Sequence, residues 1–264
     1  MNNTNYKPLI DGMTWSYSRL SSFESCPYGW KLKYIDKEKD EPMFYTSYGS
    51  YVHKLLQMYY DGFLSSSDLK YQFLLGFQNN VIGERPQQSI VEKYIESGKS
   101  YFESFKPFDM RTIAVEKDAS FNIGDMKCIG FVDYVGEKDG NLYIVDHKSR
   151  ELKNRSGRKK PTKNDELIDS MLKQLYIYSI DIENTFGTKP SYLCFNCFRN
   201  GEFIKEPFDN AAFESAKQWA VDTKDWISRT SDFYPTLNYF YCRYLCGLHN
   251  KCFYYDIEYG GKGD

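Results

Sequence analysis

The sequence predicts a mixed α/β fold, with helices gathered first, a meander of strands in the middle, and helix and strand interleaved after it. Three observations carry this. Apolar residues recur at helical spacing through residues 45–63, at Tyr48, Val52, Leu55, Leu56 and Tyr59. Two apolar runs, Ile129-Gly130-Phe131-Val132-Asp133 and Leu142-Tyr143-Ile144-Val145-Asp146, each read as a buried strand that delivers an acid at its end. Between them lies Lys138-Asp139-Gly140-Asn141, in which Asp-Gly is the strongest short-range hairpin signal. The strict strand–helix alternation of a doubly wound sheet is missing.

Residues 16–38 open with Ser16-Tyr17-Ser18-Arg19, a capping-type helix start. Cys26-Pro27 interrupts that helix, and Trp30-Lys31-Leu32-Lys33-Tyr34-Ile35 continues as a second. Helices are expected over 45–63, 68–80 and 88–105, then strands over 111–123, 126–136 and 141–148. A basic segment punctuated by Gly and Pro leads to a helix over 164–182. Strands at 190–199 and 202–206 and a helix at 209–229 complete the body.

A chain of 264 residues is long enough for a core of its own. Its 41% hydrophobic and 18% aromatic content excludes a disordered chain. The net charge of −2 excludes a global basic field, so any nucleic-acid contact must be local. No run of apolar residues is long enough to span a membrane and the N-terminus lacks a hydrophobic signal core, so a reducing, cytoplasmic compartment is the expectation.

In that compartment the seven cysteines suit metal binding or burial better than disulfides. Cys128, Cys194 and Cys197 sit in strand-like apolar runs and read as core. Cys242, Cys246 and Cys252 crowd together beside Gly247 and Asn250 and read as ligands on a loop. A closed site needs a fourth partner. Cys26 can supply it, and His249 is the rival that would make a compact zinc site; spacing alone leaves the two open.

Asp146 and Lys148 are two apart on a strand and share a face, which Asp133 on the neighbouring strand can reach. Carboxylates beside an amine suit a divalent cation, since hard cations prefer oxygen ligands. Taken alone, an Asp-x-Lys pair is more often a solvated strand end. Its company along the chain changes that balance. Gly49 and His53 lie one helical turn apart, as do Gln174 and Tyr178. The one concentrated basic stretch, with Arg150, Lys153, Arg155, Arg158, Lys159 and Lys160, starts just after Lys148, where a mobile cationic loop would hold a phosphate backbone.

Taken in order, Gly-x-x-x-His, Gly-x-x-Asp, Asp-x-Lys and Gln-x-x-x-Tyr resemble the PD-(D/E)XK nuclease superfamily. The closest likeness is to its RecB/AddB-type branch, which includes the iron–sulfur nucleases of CRISPR adaptation and related phage exonucleases. The opening Ser18-Arg19-Leu20-Ser21-Ser22-Phe23-Glu24-Ser25-Cys26-Pro27 looks like that branch's first motif, so the likeness runs from about residue 16 to residue 252.

The resemblance implies a restriction-endonuclease-like core, a central mixed sheet flanked by helices, in one nuclease domain over 1–264. Residues 16–105 would form its helical part, 106–208 the catalytic sheet core, and 209–264 a C-terminal helix and cysteine cluster. His53, Asp133, Asp146 and the backbone carbonyl of His147 would hold Mg²⁺ or Mn²⁺. Lys148 would orient the attacking water, while Gln174 and Tyr178 would position the scissile strand or the lysine. Glu116 is a further acidic candidate, although Lys117 beside it makes a surface ion pair equally natural. Cys26, Cys242, Cys246 and Cys252 would carry a [4Fe–4S] cluster, with zinc as the alternative.

The implied activity is hydrolysis of DNA from a free end, in a bacterial or phage-infected cell, in the setting of DNA repair or recombination. Partners would be further copies of the chain or recombination or CRISPR proteins, without a membrane. A zinc-bearing nucleic-acid-binding module without catalysis, and a CRISPR-type adaptation nuclease working within a complex, are the alternatives. The chain departs from the pattern in two places. It has Asp146-x-Lys148 where many relatives have Glu-x-Lys, and three residues between Cys242 and Cys246 where many have two.

Overall fold

A computed structural model of the chain describes residues 6–260. Six helices come first: α1 (Lys7–Asp11), α2 (Tyr17–Ser25), α3 (Pro27–Tyr34), α4 (Phe44–Tyr60), α5 (Ser66–Asn80) and α6 (Gln88–Glu103). Strands β1 (Arg111–Ile123), β2 (Met126–Lys138) and β3 (Asn141–Lys148) follow, then α7 (Lys163–Phe186), β4 (Tyr192–Cys197), β5 (Glu202–Pro207) and α8 (Asn210–Arg229). The C-terminal part holds α9 (Tyr239–Tyr244), a 3-10 turn (His249–Lys251) and α10 (Phe253–Tyr259).

Local chemistry explains most boundaries. Ser16 caps α2 through Arg19 N–H, and Pro27 starts α3 where its missing N–H costs nothing. Thr162 and Asp165 form a reciprocal capping box at the head of α7, and Gly187 ends that helix in the left-handed region. Asp139 and Gly140 turn the β2–β3 hairpin with positive φ at both positions, as a type I′ turn requires.

The five strands form one sheet in the order β1-β2-β3-β4-β5. All neighbours are antiparallel except β3 and β4, which run parallel and are joined across α7. This is a restriction-endonuclease-like arrangement, a mixed sheet with helices on both faces. One core, with Val132, Val135, Ile144, Leu193 and Phe195 from the sheet, packs under α2, α7 and α8. The opposite face carries Tyr134, Tyr143, Val145 and Cys194, adjoining the layer of α4, α5 and α6. Cys128, Cys194 and Cys197 are buried in these cores, as their apolar neighbours predict. Among the described residues no helix is long and apolar enough to cross a membrane.

Two expectations need correction. Asp133 does not end its strand, because β2 runs on to Lys138; it lies where β3 stops pairing with β2, after Tyr134↔Val145. The C-terminal cysteines are not on an open loop. Cys242 is in α9, Cys246 just beyond it, and Cys252 caps α10.

Candidate active site

Parallel pairing of β3 with β4 buries the end of β3, so the acid it carries is not a solvated strand terminus. Asp146 is only 4% exposed. Nζ of Lys148 lies 2.5 Å from Oδ2 of Asp146, confirming that the two share a face. The approach is off the hydrogen-bonding direction, and Oδ2 has no hydrogen-bond donor. The ammonium of Lys148 supplies the counter-charge that this buried oxygen needs, as an ion pair rather than an aligned hydrogen bond. The amine itself donates to Oε1 of Gln174 at 3.0 Å, on α7.

Asp133 lies beside an irregularity in the β1–β2 ribbon and faces His53 of α4. Side chains alternate faces along a strand, so residues 132 and 134 should share one. Instead Val132 packs with the α7 layer and Tyr134 with the opposite one. The alternation breaks at Glu116, which has φ +44°, although the register is kept from Val115↔Tyr134 to Lys117↔Val132. A non-glycine residue in that region stores strain, a feature that clusters at functional sites.

His53 on α4 completes the group. Its Nδ1 lies 3.4 Å from Oδ2 of Asp133, and its Nε2 lies 2.7 Å from the carbonyl of His147. The backbone N–H of His147 donates to Asp133 at 2.7 Å. Among the described residues, His53, Glu116 and Asp133 are the set whose ligand atoms all fall within 4.8 Å of one another. With Nε2 donating to the carbonyl, a proton or a metal ion between Nδ1 and Oδ2 of Asp133 would hold the two together. Burial and the charge of Asp146 push the Asp133 carboxyl up to about 7. Burial likewise raises that of Glu116. Two acids whose carboxyls burial raises, and an imidazole, form a donor set that fits a hard divalent cation, while Asp146 lies outside that set and is paired with Lys148.

The side chain of His147 takes no part. It points to the opposite face, where Asn196 donates to its Nδ1 at 2.9 Å and to Tyr101 Oη at 2.8 Å. Full burial lowers its pKa well below the usual imidazole value.

Lys117, the expected rival partner of Glu116, turns to the other face and pairs with Asp181 on α7. Alternation along the strand is enough to send these two neighbours to opposite faces.

Tyr178 follows Gln174 by one turn of α7, and burial raises its phenol well above the ordinary value. Its ring covers Gly130, where an added Cβ would meet ring carbon Cε1 at 2.4 Å. We therefore expect Gly130→Ala to cost about 1–3 kcal/mol in stability. It should also displace Tyr178 and Gln174 from Lys148, read as a lower midpoint in denaturant together with lower activity. Gly49 is less constrained, since a Cβ there would make ordinary contact with Ser149 Oγ at 3.4 Å.

A cleft of about 720 Å³ opens over His53 and Glu116, between α4 and Ser149. The basic segment beyond Ser149 is only partly free to act there. Arg155 is held by Glu206 at 2.7 Å and Asp169 at 2.6 Å, which ties it to β5 and α7. Arg150, Lys153, Arg158, Lys159 and Lys160 remain exposed.

Residues 14–253 match the sequence pattern of the PD-(D/E)XK nuclease superfamily. The chain belongs to that superfamily. Membership makes it a nuclease-family protein, a phosphodiester hydrolase acting on nucleic acid, of a class that typically uses divalent metals. The chain resembles a crystal structure from Eubacterium rectale described as a "Putative exonuclease", with 13% identity, TM-score 0.54, and coverage of 96% of this chain and 93% of that one. At that identity the likeness speaks for the fold alone. A second solved structure, SSO0001, is 16% identical with a TM-score of 0.32, covering 89% of this chain and 93% of that one. No curated protein matches the sequence.

Proposed function

We propose that this PD-(D/E)XK protein is a Mg²⁺- or Mn²⁺-dependent deoxyribonuclease that digests DNA from a free end. What supports the reading is the meeting of His53, Glu116 and Asp133 within 4.8 Å of one another, with the Asp146–Lys148 pair near enough for the Asp146 charge to raise the Asp133 carboxyl. Asp133, Asp146, His53 and the His147 carbonyl would hold the cation, with Glu116 added to the set. When bound, the cation supplies Lewis acidity at the scissile phosphate.

The chain's own groups do the rest. Lys148, anchored between Asp146 and Gln174, presents an N–H donor to charge building on the phosphoryl oxygens. Gln174 is itself steadied by Tyr178 packed on Gly130. Water would attack phosphorus in line, losing a proton to solvent, while the P–O bond to the leaving nucleotide oxygen breaks and that oxygen takes up a proton, so no covalent enzyme adduct forms. The test is a time course on end-labelled linear DNA with Mg²⁺ or Mn²⁺, beside a closed circle of the same sequence. Stepwise shortening of the linear DNA with the circle intact is the expected result. Cleavage of the circle would replace the exonuclease with an endonuclease, and no cleavage of either would remove the reading.

In the same reading Cys26, Cys242, Cys246 and Cys252 carry a [4Fe–4S] cluster, as in the RecB/AddB-type branch. All four line one small apolar cavity between α3 and α9, together with His249. Burial raises the thiols of Cys242 and Cys252 and pushes that of Cys246 up to about 11, so a cation set is needed to hold them as thiolates. Nδ1 of His249 is engaged with the Cys246 carbonyl at 2.9 Å. Iron with acid-labile sulfide in a brown protein is the expected composition. We expect Cys246→Ser to bleach it and lower the melting temperature, since the site joins α3 to the C-terminal helices. A colourless protein with one zinc would assign the cysteines to the rival metal.

A further inference from the structure

We infer that Phe131, seconded by Ile129, is a stacking platform for an unpaired nucleobase adjoining the scissile phosphate. The inference rests on the proposed nuclease site and adds the form of substrate it takes, a single strand or a frayed end.

Phe131 is 59% exposed and Ile129 47% exposed, although both lie in the middle of the sheet's second strand. Their neighbours Cys128, Val132 and the Gly130–Tyr178 contact all face α7 and are buried. Residues 129 and 131 therefore point to the face on which Asp133 meets His53. That face is covered by α4 at Asp133 and bare at Phe131.

Phe131 and Asp133 are two residues apart on one strand, about 6.8 Å along its axis. That is within the reach of one nucleotide. A strand whose phosphate lies at Asp133 can lay its adjoining base on the Phe131 ring. Charge selects which part of the strand makes this contact. Opposite Phe131 and Ile129 on β1 stand Asp118 and Ser120, both exposed. Asp118 repels phosphate, so the sugar–phosphate backbone is turned away and the neutral face of the base is left to the ring. A base paired in a duplex is stacked on its neighbours and cannot offer that face.

Stacking on an aromatic side chain contributes roughly a five- to hundredfold gain in affinity per base. We expect Phe131→Ala to raise KM for a single-stranded oligonucleotide by about that factor while kcat holds, and Phe131→Tyr to restore KM. Binding would be followed in parallel by anisotropy of a labelled oligonucleotide with the metal chelated. A scan of single abasic positions should reveal one whose loss weakens wild type but adds nothing to Phe131→Ala. Equal abasic penalties in both proteins, or an unchanged KM, would overturn the base contact. So would a Phe131→Ala variant whose sedimentation shifts from oligomer to monomer, which would assign the ring to a second copy of the chain. The two readings fail separately. Cleavage with affinity indifferent to Phe131 leaves the nuclease and removes the platform, whereas Phe131-dependent binding without cleavage leaves the platform and removes the nuclease.

Discussion

Lys148→Ala is expected to lower the cleavage rate by roughly a hundred- to a thousandfold, the loss usual when a donor aimed at transition-state charge is removed. The substitution deletes the group closest to both Asp146 and Gln174, and it leaves the carboxylates and His53 in place. Metal affinity should therefore survive, and DNA affinity should change little, so that the effect falls on kcat. Asp146→Ala should abolish cleavage by a different route, because it removes a metal donor and the anchor of Lys148 together. It should also lower stability, because it strips the partly buried ammonium of Lys148 of its ion-pair partner. Turnover by the two variants on end-labelled DNA, with isothermal titration of Mn²⁺ into each, distinguishes these routes. Robust cleavage by either would sink the site assignment.

The second large effect concerns Asp133 and acidity. Its carboxyl is pushed up to about 7, mainly by burial and then by Asp146. In the unfolded chain it titrates near the ordinary carboxylate value of about 4. Below both values the two states hold the proton alike. Between them the unfolded chain has released it and the folded chain has not, so stability falls as pH rises through that window, and the loss is complete above pH 7. With divalent metal chelated, the melting temperature should drop by several degrees between pH 5 and pH 8. Adding Mg²⁺ or Mn²⁺ at pH 8 should recover it, because the cation binds the ionised folded form. Asp133→Asn keeps an oxygen to accept from His147 N–H, removes the titration, and should flatten the melting profile while abolishing cleavage. A wild-type profile parallel to that of Asp133→Asn would refute the buried, cation-seeking carboxyl.

Much of this was legible beforehand. Tyr48, Val52, Leu55 and Leu56 all face the core of α4, because helical spacing alone puts them on one side. The Asp-Gly turn and the two-residue offset of Asp146 and Lys148 are local facts of a hairpin and a strand, and the structure reproduces both. The short C-terminal helices were not legible. Segments of six or seven residues carry too few turns to show a period, and the C-terminal part is also tied to the N-terminal part. There Gly247 accepts from Glu41 N–H, and Lys251 pairs with Glu38. Arg155 read as a free cation of a basic loop, yet its partners Asp169 and Glu206 are distant in sequence, and only folding brings them within reach.

By itself, then, the order of residues determined which elements form and which acids, imidazole and amine stand along the strands and helices that could meet. Those are properties of neighbours within a few positions of one another, governed by period and turn chemistry. Tertiary structure decided which of them do meet. Packing against α4 brings Glu116, in its strained backbone conformation, and Asp133 to His53, Lys117 finds Asp181 on the other face, and parallel pairing with β4 buries Asp146. A strand's side chains alternate by default, and only the packing of two layers against one sheet can hold a residue in the strained conformation that breaks the alternation.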